Sequence, residues 1–407
     1  MSRSNRVISN TRCRSSLALS IRLCAWFVIA IMSLIASVVD AQETQKPLIA
    51  KSSNLSAALP PSEWTRVETS IDRGLEWLAS QQQDDGRFPS EDSIQPAVTS
   101  LAVMSFLSRG HIPEHGRYGA RLSKAIDFVL ATQRRHGEFS LLPVEPPAAH
   151  MLPGQTSTYN HAIAGLMLGE VYGMTSGERS RKIESAINRA LIYHREIQTR
   201  KKQAPTDIGG WRYGFPDGPD ASSDMSVTGW ALMFLRSARN AEFNVPKLYF
   251  DEGLDFVERC YEKDPKNHEP GVFRYRPATP DAAAPTQITL ANTASAMLTL
   301  ILGGRQDKES VAVGVKWFTS REYPRQWQTG YYYLSTYYSS QAMAQVGGEP
   351  WNKIFPQITR GLLVEQAKDG SWPAEVSSER KFGSSYTTSL AILALTPPYQ
   401  LLPIYQR

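Results

Sequence analysis

Cysteine is scarce in this chain. Three cysteines, Cys13, Cys24 and Cys260, occur among its 407 residues. The first two fall in an N-terminal segment typical of an export signal, so cleavage of that segment would leave Cys260 alone. A single thiol excludes an internal disulfide, even in an oxidising compartment. The stability of the mature chain must therefore come from packing.

Excess charge is also lacking. The whole chain has a net charge of +5, with 44 basic and 39 acidic residues. Residues 1–41 contain five of the basic residues and one acidic residue, so the remainder has 39 basic and 38 acidic residues. A net charge of +1 and the lack of a recognition motif argue against nucleic-acid binding, and no nucleic-acid partner is predicted.

The N-terminal segment combines five arginines, an apolar run from Leu23 to Val39, and small residues up to Ala41. This order predicts a secretory signal cleaved after Ala41, and hence export to the periplasm or the medium. The alternative is an uncleaved membrane anchor, for which the run is slightly shorter than the roughly 20 residues of a typical span. Residues 42–63 are polar and contain proline, and they predict a flexible leader.

The rest of the chain repeats a pattern. Each copy has an apolar segment of helical period, then glutamine, a glycine turn and an aromatic residue. The best copies are RGLEWLASQQQDDGRF (73–88), KAIDFVLATQRRHGEF (124–139) and RGLLVEQAKDGSW (360–372). Looser copies occur at 207–213 and 269–275, and a copy at 314–327 lacks the glycine turn. The recurrence predicts six units.

A second helical segment follows each turn, and in it a Ser, Thr or His precedes an Ala by three residues. The pairs are Thr99/Ala102, His161/Ala164, Thr228/Ala231, Thr293/Ala296, Ser339/Ala342 and Thr388/Ala391. Small residues suit an inner helix, whereas bulky residues such as Trp77 and Phe128 suit an outer one. We therefore predict an all-α fold, an (α/α)6 toroid of six helical hairpins over residues 64–403. An open solenoid is the alternative.

The repeated pattern resembles the QW repeat of the squalene and terpenoid cyclases, as in Arg73-Gly74-Trp77-Gln82-Gly86-Phe88. The resemblance covers residues 64–400. It implies the α/α toroid that those cyclases share with the β subunits of protein prenyltransferases. QW residues are structural in that family, so Gln82, Gln133, Gln366 and Trp372 receive no catalytic role.

The sequence has repeats that resemble those of the family, but it does not have the family's acid motif. That motif is Asp-x-Asp-Asp followed by Thr, and its middle aspartate delivers a proton. In SSDMSVTGWALMFL (222–235), alignment on Thr228 places Asp224 at the first position and Ser226 at the middle one. A serine hydroxyl is far too weak an acid to protonate an alkene or epoxide. Asp224 stays a weak catalytic candidate, and a helix cap is its alternative role.

Metal chemistry has little support in the sequence. Asp217, Asp220 and Asp224 lie in a proline-containing segment that indicates a loop. His161 matches faintly the zinc histidine of prenyltransferase β subunits, but a zinc site needs about four ligands and no cysteine partner is present. We predict no metal and no cofactor, and keep His161 as a second weak catalytic candidate.

Tyrosines are the candidate ligand-binding residues. GYYYLSTYYSSQAMAQVGG (330–348) begins the fifth inner helix, and Tyr337 lies two residues before the Ser/Thr/His column, as do Tyr159, Ser226 and Tyr386. We predict that these residues, together with Trp230, line the lumen. Three proline-rich connectors (141–155, 199–224 and 262–287) rise at the same end of the ring, where Arg212, Arg274 and Arg276 are candidates to hold an anionic or sugar-like group.

The sequence thus predicts an exported, non-catalytic toroid that binds an apolar, amphipathic or isoprenoid-like ligand in a central cavity. A divergent terpenoid cyclase or isoprenoid-processing enzyme is one alternative. A carbohydrate-active (α/α)6 enzyme is another, although no carboxylate pair stands out for it.

Overall fold

The computed structural model describes residues 54–142, 156–213, 222–263, 269–278, 287–325, 330–374 and 379–406. In this part of the chain, twelve α-helices alternate between an outer and an inner layer. They are α1 (Pro61–Gln81), α2 (Ala97–Leu107), α3 (Gly119–Ala131), α4 (Ser157–Val171), α5 (Gly177–Thr199), α6 (Met225–Asn240), α7 (Lys247–Arg259), α8 (Leu290–Leu302), α9 (Glu309–Thr319), α10 (Tyr332–Val346), α11 (Gly348–Glu365) and α12 (Ser384–Leu395). None of these helices has the length and hydropathy needed to cross a bilayer.

The even-numbered helices form a closed inner ring. Each contacts the next one along the chain, and α12 contacts α2. Every residue of α2 is buried and so is almost every residue of α12, whereas α1 and α11 bury one face and expose the other. Small side chains let the inner helices pack on all sides. The predicted all-α toroid is confirmed, and its closure excludes the open solenoid.

The repeated glutamines fasten each outer helix to the next. The amide nitrogen of Gln82 donates to Gly86 O and to Arg121 O on α3, at 2.9 Å each. Gln133 makes the same pair of bonds from α3 to α5, at 3.1 and 2.8 Å. Gln366 donates to Gly370 O and Ser70 O, at 2.8 Å each, and so joins the last outer helix to the first. These contacts give the repeat its structural role.

A fourth glutamine of this type was not identified from the sequence. Gln198 donates to Gly209 O and to Tyr249 O on α7, at 2.9 Å each. Its glycine follows 11 residues later, whereas Gly370 follows Gln366 by four. The insertion obscures the motif in the sequence, but in the structure Gln198 makes the same pair of hydrogen bonds as the other three glutamines.

The flexible leader predicted for residues 42–63 is wrong in its last part. Leu55–Ala58 form a short 3-10 helix, and α1 already begins at Pro61. Leu55 and Leu59 are buried, and the indole of Trp351 donates to Leu55 O at 2.9 Å. Two apolar side chains in a polar stretch were enough to dock it on α11. The predicted signal segment lies outside the described residues.

The two ends of the ring differ. Connectors from each outer to its inner helix lie at the N-terminal ends of the inner helices, and we call this the long-loop end. The opposite, short-loop end is crossed by residues 396–406, which we call the C-terminal strap. Hydrogen bonds from three inner helices help to hold the strap: Asn240 donates to Pro403 O (3.0 Å), Gln345 donates to Tyr405 O (3.0 Å), and Glu170 accepts from Ile404 N (3.1 Å).

Candidate functional site

Asp224 lies directly before α6 at the long-loop end. Its side chain is fully buried, and one carboxyl oxygen accepts from Val227 N and from Ser226 Oγ, at 2.9 Å each. The other lies 3.3 Å from the guanidinium of Arg212. Burial raises the pKa of Asp224, while the bond from Val227 and the charge of Arg212 act in the opposite direction. Asp224 therefore caps α6 and pairs with an arginine, which leaves neither oxygen facing a substrate.

Ser226 connects Asp224 to the inner helix α4. Its hydroxyl lies 2.5 Å from the hydroxyl of Tyr159 and donates to Asp224. Burial, and then the charge of Asp224, raise the pKa of Tyr159 well above its usual value. Tyr159, Ser226 and Asp224 thus form one hydrogen-bond chain at the long-loop end. Tyr159 and Ser226 are both half-buried.

Two further tyrosines complete the site. The Tyr213 hydroxyl lies 2.7 Å from that of Tyr275, and the Tyr213 ring lies 5.7 Å from the ring of Tyr159. The guanidinium of Arg212 lies 4.9 Å from the Tyr213 ring centre and 5.8 Å from that of Tyr275. We call Tyr159, Tyr213 and Tyr275 the tyrosine cluster. All three are half-buried, so each has surface that a ligand can contact.

The positive charges near this cluster are already neutralised. Arg212 pairs with Asp224, Arg276 lies 3.6 Å from Asp207, and Arg274 forms an ion pair with Glu262. The suggestion that these arginines hold an anionic group is therefore not favoured. What remains is the accessible surface of the aromatic rings, beside hydroxyl groups that already bond to one another or to Ser226, and this surface suits an uncharged ligand with an apolar part.

His161 has the same role as the threonines of its column. Its Nδ1 accepts from Phe139 N at 3.3 Å, just as Thr99 and Thr388 accept from the aromatic residues of their own turns at 3.0 Å. Burial lowers the pKa of His161 well below its usual value, which keeps the ring neutral and able to accept. This hydrogen bond gives His161 a structural role at its position in the Ser/Thr/His column.

Trp230 lies one helical turn after Ser226 and marks the filled part of the ring. Its indole stacks on the Tyr337 ring at 5.6 Å with an interplanar angle of 10°, and lies 5.3 Å from the ring of Tyr338. The Tyr337 hydroxyl lies 2.5 Å from that of Tyr405, which enters from the C-terminal strap. All four side chains are buried. At this level these four side chains fill the lumen, where the sequence predicted a central cavity.

Tyr386 belongs to a different group on the other side of the ring. Its ring packs 4.8 Å from Phe382, which lies 6.4 Å from Tyr331. Below them, buried Glu379 accepts from Tyr333 N (2.9 Å) and Leu334 N (3.0 Å) at the start of α10. Burial raises the pKa of Glu379 to about 7. The structure thus divides the predicted tyrosine level: Tyr159 joins Ser226, Tyr337 joins Trp230, and Tyr386 joins Phe382.

A metal site is not evident in the described residues, where no three His, Cys, Asp or Glu side chains gather. Asp217 and Asp220 lie outside the described part of the chain. The residues missed from the sequence are buried and act through tertiary contacts. Glu379, Glu170 and Tyr405 each lie outside the repeat motif, and no local pattern marks them.

Comparison with known proteins places the chain among α/α toroids. No family model matches it, and no curated protein sequence matches it. A solved type II terpene cyclase, MstE from Scytonema, is 14% identical with a TM-score of 0.53, over 84% of this chain and 100% of that one. A solved glycosidase is 12% identical with a TM-score of 0.53, over the same shares. A protein from Actinoplanes is 16% identical, with a TM-score of 0.50 over 82% and 99%. At such identities the likeness shows the shared fold alone.

Proposed function

We propose that this is an exported toroid that binds an uncharged amphipathic ligand at the tyrosine cluster, without cyclising it. The observation that carries this proposal is the Tyr159–Ser226–Asp224 chain. The sequence alignment places a hydroxyl where the cyclases would have an acid, and the neighbouring carboxyl of Asp224 is engaged by Val227, Ser226 and Arg212. Such a site has aromatic faces for an apolar body and hydroxyls for a polar end.

The chemistry of the structural neighbours supports this ligand class. MstE has been solved with geranylgeranyl dihydroxybenzoate, and the glycosidase with glucose. The first ligand joins a prenyl chain to a hydroxylated benzoate, whose carboxylate the ligand proposed here lacks, and the second is a neutral polyol. A ligand with an isoprenoid-like body and a hydroxylated end would use both the rings and the hydroxyls of the tyrosine cluster.

The test is extraction of the protein purified from exporting cells, followed by mass spectrometry of the organic phase. We expect one amphipathic compound at near-stoichiometric amount. The double variant Tyr159→Ala/Tyr213→Ala should lose it. Tyr172→Ala is the matched control, because Tyr172 ends α4 at the opposite end and packs on Phe243 at 4.9 Å. Equal retention in the double variant, or no bound compound, would refute the proposal.

A second candidate is acid-initiated cyclisation, which the raised pKa of buried Asp224 favours. Incubation with squalene and with a geranylgeranylated phenol tests it. A cyclic product that Asp224→Asn abolishes would replace the binding proposal. A reducing-end assay on neutral glycans tests the carbohydrate-active alternative in the same samples, with Asp224→Asn and Glu379→Gln as its variants.

Export is tested separately. We expect the protein in the periplasm or the medium, with Gln42 as its first residue. Recovery in the membrane fraction with residues 1–41 intact would instead show an anchor. Neither result changes the ligand test, because the three residues of the tyrosine cluster all lie after residue 150 and are therefore present whether or not residues 1–41 are removed.

A further inference from the structure

A cavity lies at the short-loop end, away from the tyrosine cluster. It has a volume of about 340 Å³ and is bounded by α10, the end of α2, Leu55 and the C-terminal strap. From α10 come Gln341, Ala344 and Gln345, and the strap contributes most of the remaining wall, including Tyr405. This cavity has no part in the repeat motif, because the strap follows the last repeat.

The described lining of this short-loop cavity is part polar and part apolar, and it is uncharged. Among the described residues that line it there is no Asp, Glu, Lys, Arg or His. Four glutamines line it instead: Gln341, Gln345, Gln400 and Gln406. An amide both donates and accepts hydrogen bonds, as a hydroxyl does. A charged ligand would lose its hydration here without an opposite charge to replace it, so the lining selects a neutral ligand.

Two of these amides are fixed in place. Gln341 is 2% exposed and donates to Leu393 O at 2.9 Å, and Gln345 is 7% exposed and donates to Tyr405 O at 3.0 Å. The amide oxygen of Gln341 accepts no hydrogen bond from the described residues. Buried acceptors nearly always have a donor, because leaving one unpaired costs free energy. A hydroxyl-bearing ligand would supply such a donor once rotation of the Gln341 side chain turned this buried oxygen toward the cavity.

The size of the cavity sets an upper bound on the ligand. Small-molecule sites range from about 300 to 1,000 Å³, so this one accommodates a single ring of monosaccharide size. Beyond its chain connection to α12, the strap that covers it is held by hydrogen bonds with Asn240, Glu170, Gln345 and Tyr337 rather than by cross-links. It can therefore act as a cover that admits a small ligand without opening the ring.

We propose that the short-loop cavity is a binding site for a small neutral polyol of monosaccharide size, recognised by the glutamine amides under the C-terminal strap. The site is separate from the tyrosine cluster and does not depend on what binds there.

The experiment is calorimetric titration of the whole protein with D-glucose and with N-acetylglucosamine. Glucuronate and glucosamine serve as charged probes of similar size. We expect saturable binding of at least one neutral sugar, at least tenfold tighter than either charged probe. Gln341→Leu and the cavity-filling Ala344→Leu should each weaken it tenfold or more, while circular dichroism stays unchanged. Tyr159→Phe, in the tyrosine cluster, should leave it unaltered.

Gln83→Leu is the matched control, because it makes the same change at an exposed position of the first long-loop connector. Absence of saturable binding by both neutral sugars would overturn the proposal. So would binding that persists in both variants, or a crystal structure with either sugar present that shows an ordered water only next to Gln341.

Discussion

The long-loop end of the ring is assembled from the repeats themselves, whereas the short-loop end is covered by one segment that belongs to no repeat. At the first end, glutamine amides hold four of the connectors together with residues of the Ser/Thr/His column, and half-buried tyrosines remain at the surface. At the second end, the strap inserts Tyr405 to meet Tyr337. The repeated end distributes its stability over many similar bonds, and the strapped end concentrates it in few residues.

The largest expected effect of a single substitution is at Tyr405. Tyr405→Ala removes a buried ring, and we expect a loss of about 3–5 kcal/mol in the free energy of unfolding. Tyr213→Ala at the long-loop end removes a half-buried ring and should cost about 1–2 kcal/mol. Urea unfolding measures both. Equal losses would show that the strap is no more critical than a connector.

Buried carboxyls at the two ends give a shared pH dependence. Burial raises the pKa of Glu170, under the strap, and of Glu379, at the long-loop end, from 4.5 to about 7. The native state then holds protons that the unfolded state has released, so stability falls as pH rises from about 4.5 to about 7. The loss per group is on the order of 3 kcal/mol at most.

Glu170→Gln should flatten part of this slope, because its amide oxygen can still accept from Ile404 N while its amide nitrogen donates to the Ser237 hydroxyl. Unfolding curves between pH 4.5 and 7.5 provide the measurement. Glu379→Gln should remove a similar share at the other end. A slope unchanged in both variants would contradict the assignment of these protons.

Two glycines with a left-handed backbone, one at each end of the ring, allow the stability of the two ends to be compared directly. At Gly370 φ is +99°, and an added Cβ would lie 2.6 Å from Arg73 O on α1. At Gly173, in a short-loop connector, φ is +87° and a Cβ meets nothing within 4 Å. Gly173→Ala should cost about 1–2 kcal/mol from backbone strain. Gly370→Ala should cost the same backbone strain plus about 1–3 kcal/mol of overpacking, because the added methyl group would push the last repeat away from the first.

Thermal and urea unfolding of the two alanine variants measure this difference. A cost at Gly370 no larger than at Gly173 would mean that ring closure does not depend on this close approach.

The smallest stability effect is expected in the tyrosine cluster. Tyr159→Phe removes one hydroxyl from the chain to Ser226, and the expected loss is about 0.5–1.5 kcal/mol. Its effect should instead appear in ligand retention, which we expect to fall several-fold by mass spectrometry. Tyr172→Phe is the control. A large loss of stability with unchanged retention would assign Tyr159 to the core.

Some features could be predicted from local pattern and others could not. Gln82, Gln133 and Gln366 recur at a fixed distance from glycine, so the repeats and the toroid follow from the sequence. The motif at Gln198 could not be predicted, because an insertion changed the distance between this glutamine and its glycine. Tyr337 was aligned with Tyr159 by its distance from the Ser/Thr/His column. It is the sixth residue of α10, however, whereas Tyr159 is the third of α4. A column alignment does not determine where a helix begins or which partner a ring meets.

The sequence by itself determined the six hairpins, the inner and outer layers, and the presence of Ser226 two residues before Thr228. These depend on period, spacing and residue chemistry, which are local properties of the chain. Only the tertiary structure decided that Arg212 is neutralised by Asp224, that Tyr405 fills the ring from the strap, and that a polar cavity lies beneath it. Those outcomes join residues far apart in the chain, and their energies come from burial and pairing that exist only once the ring has closed.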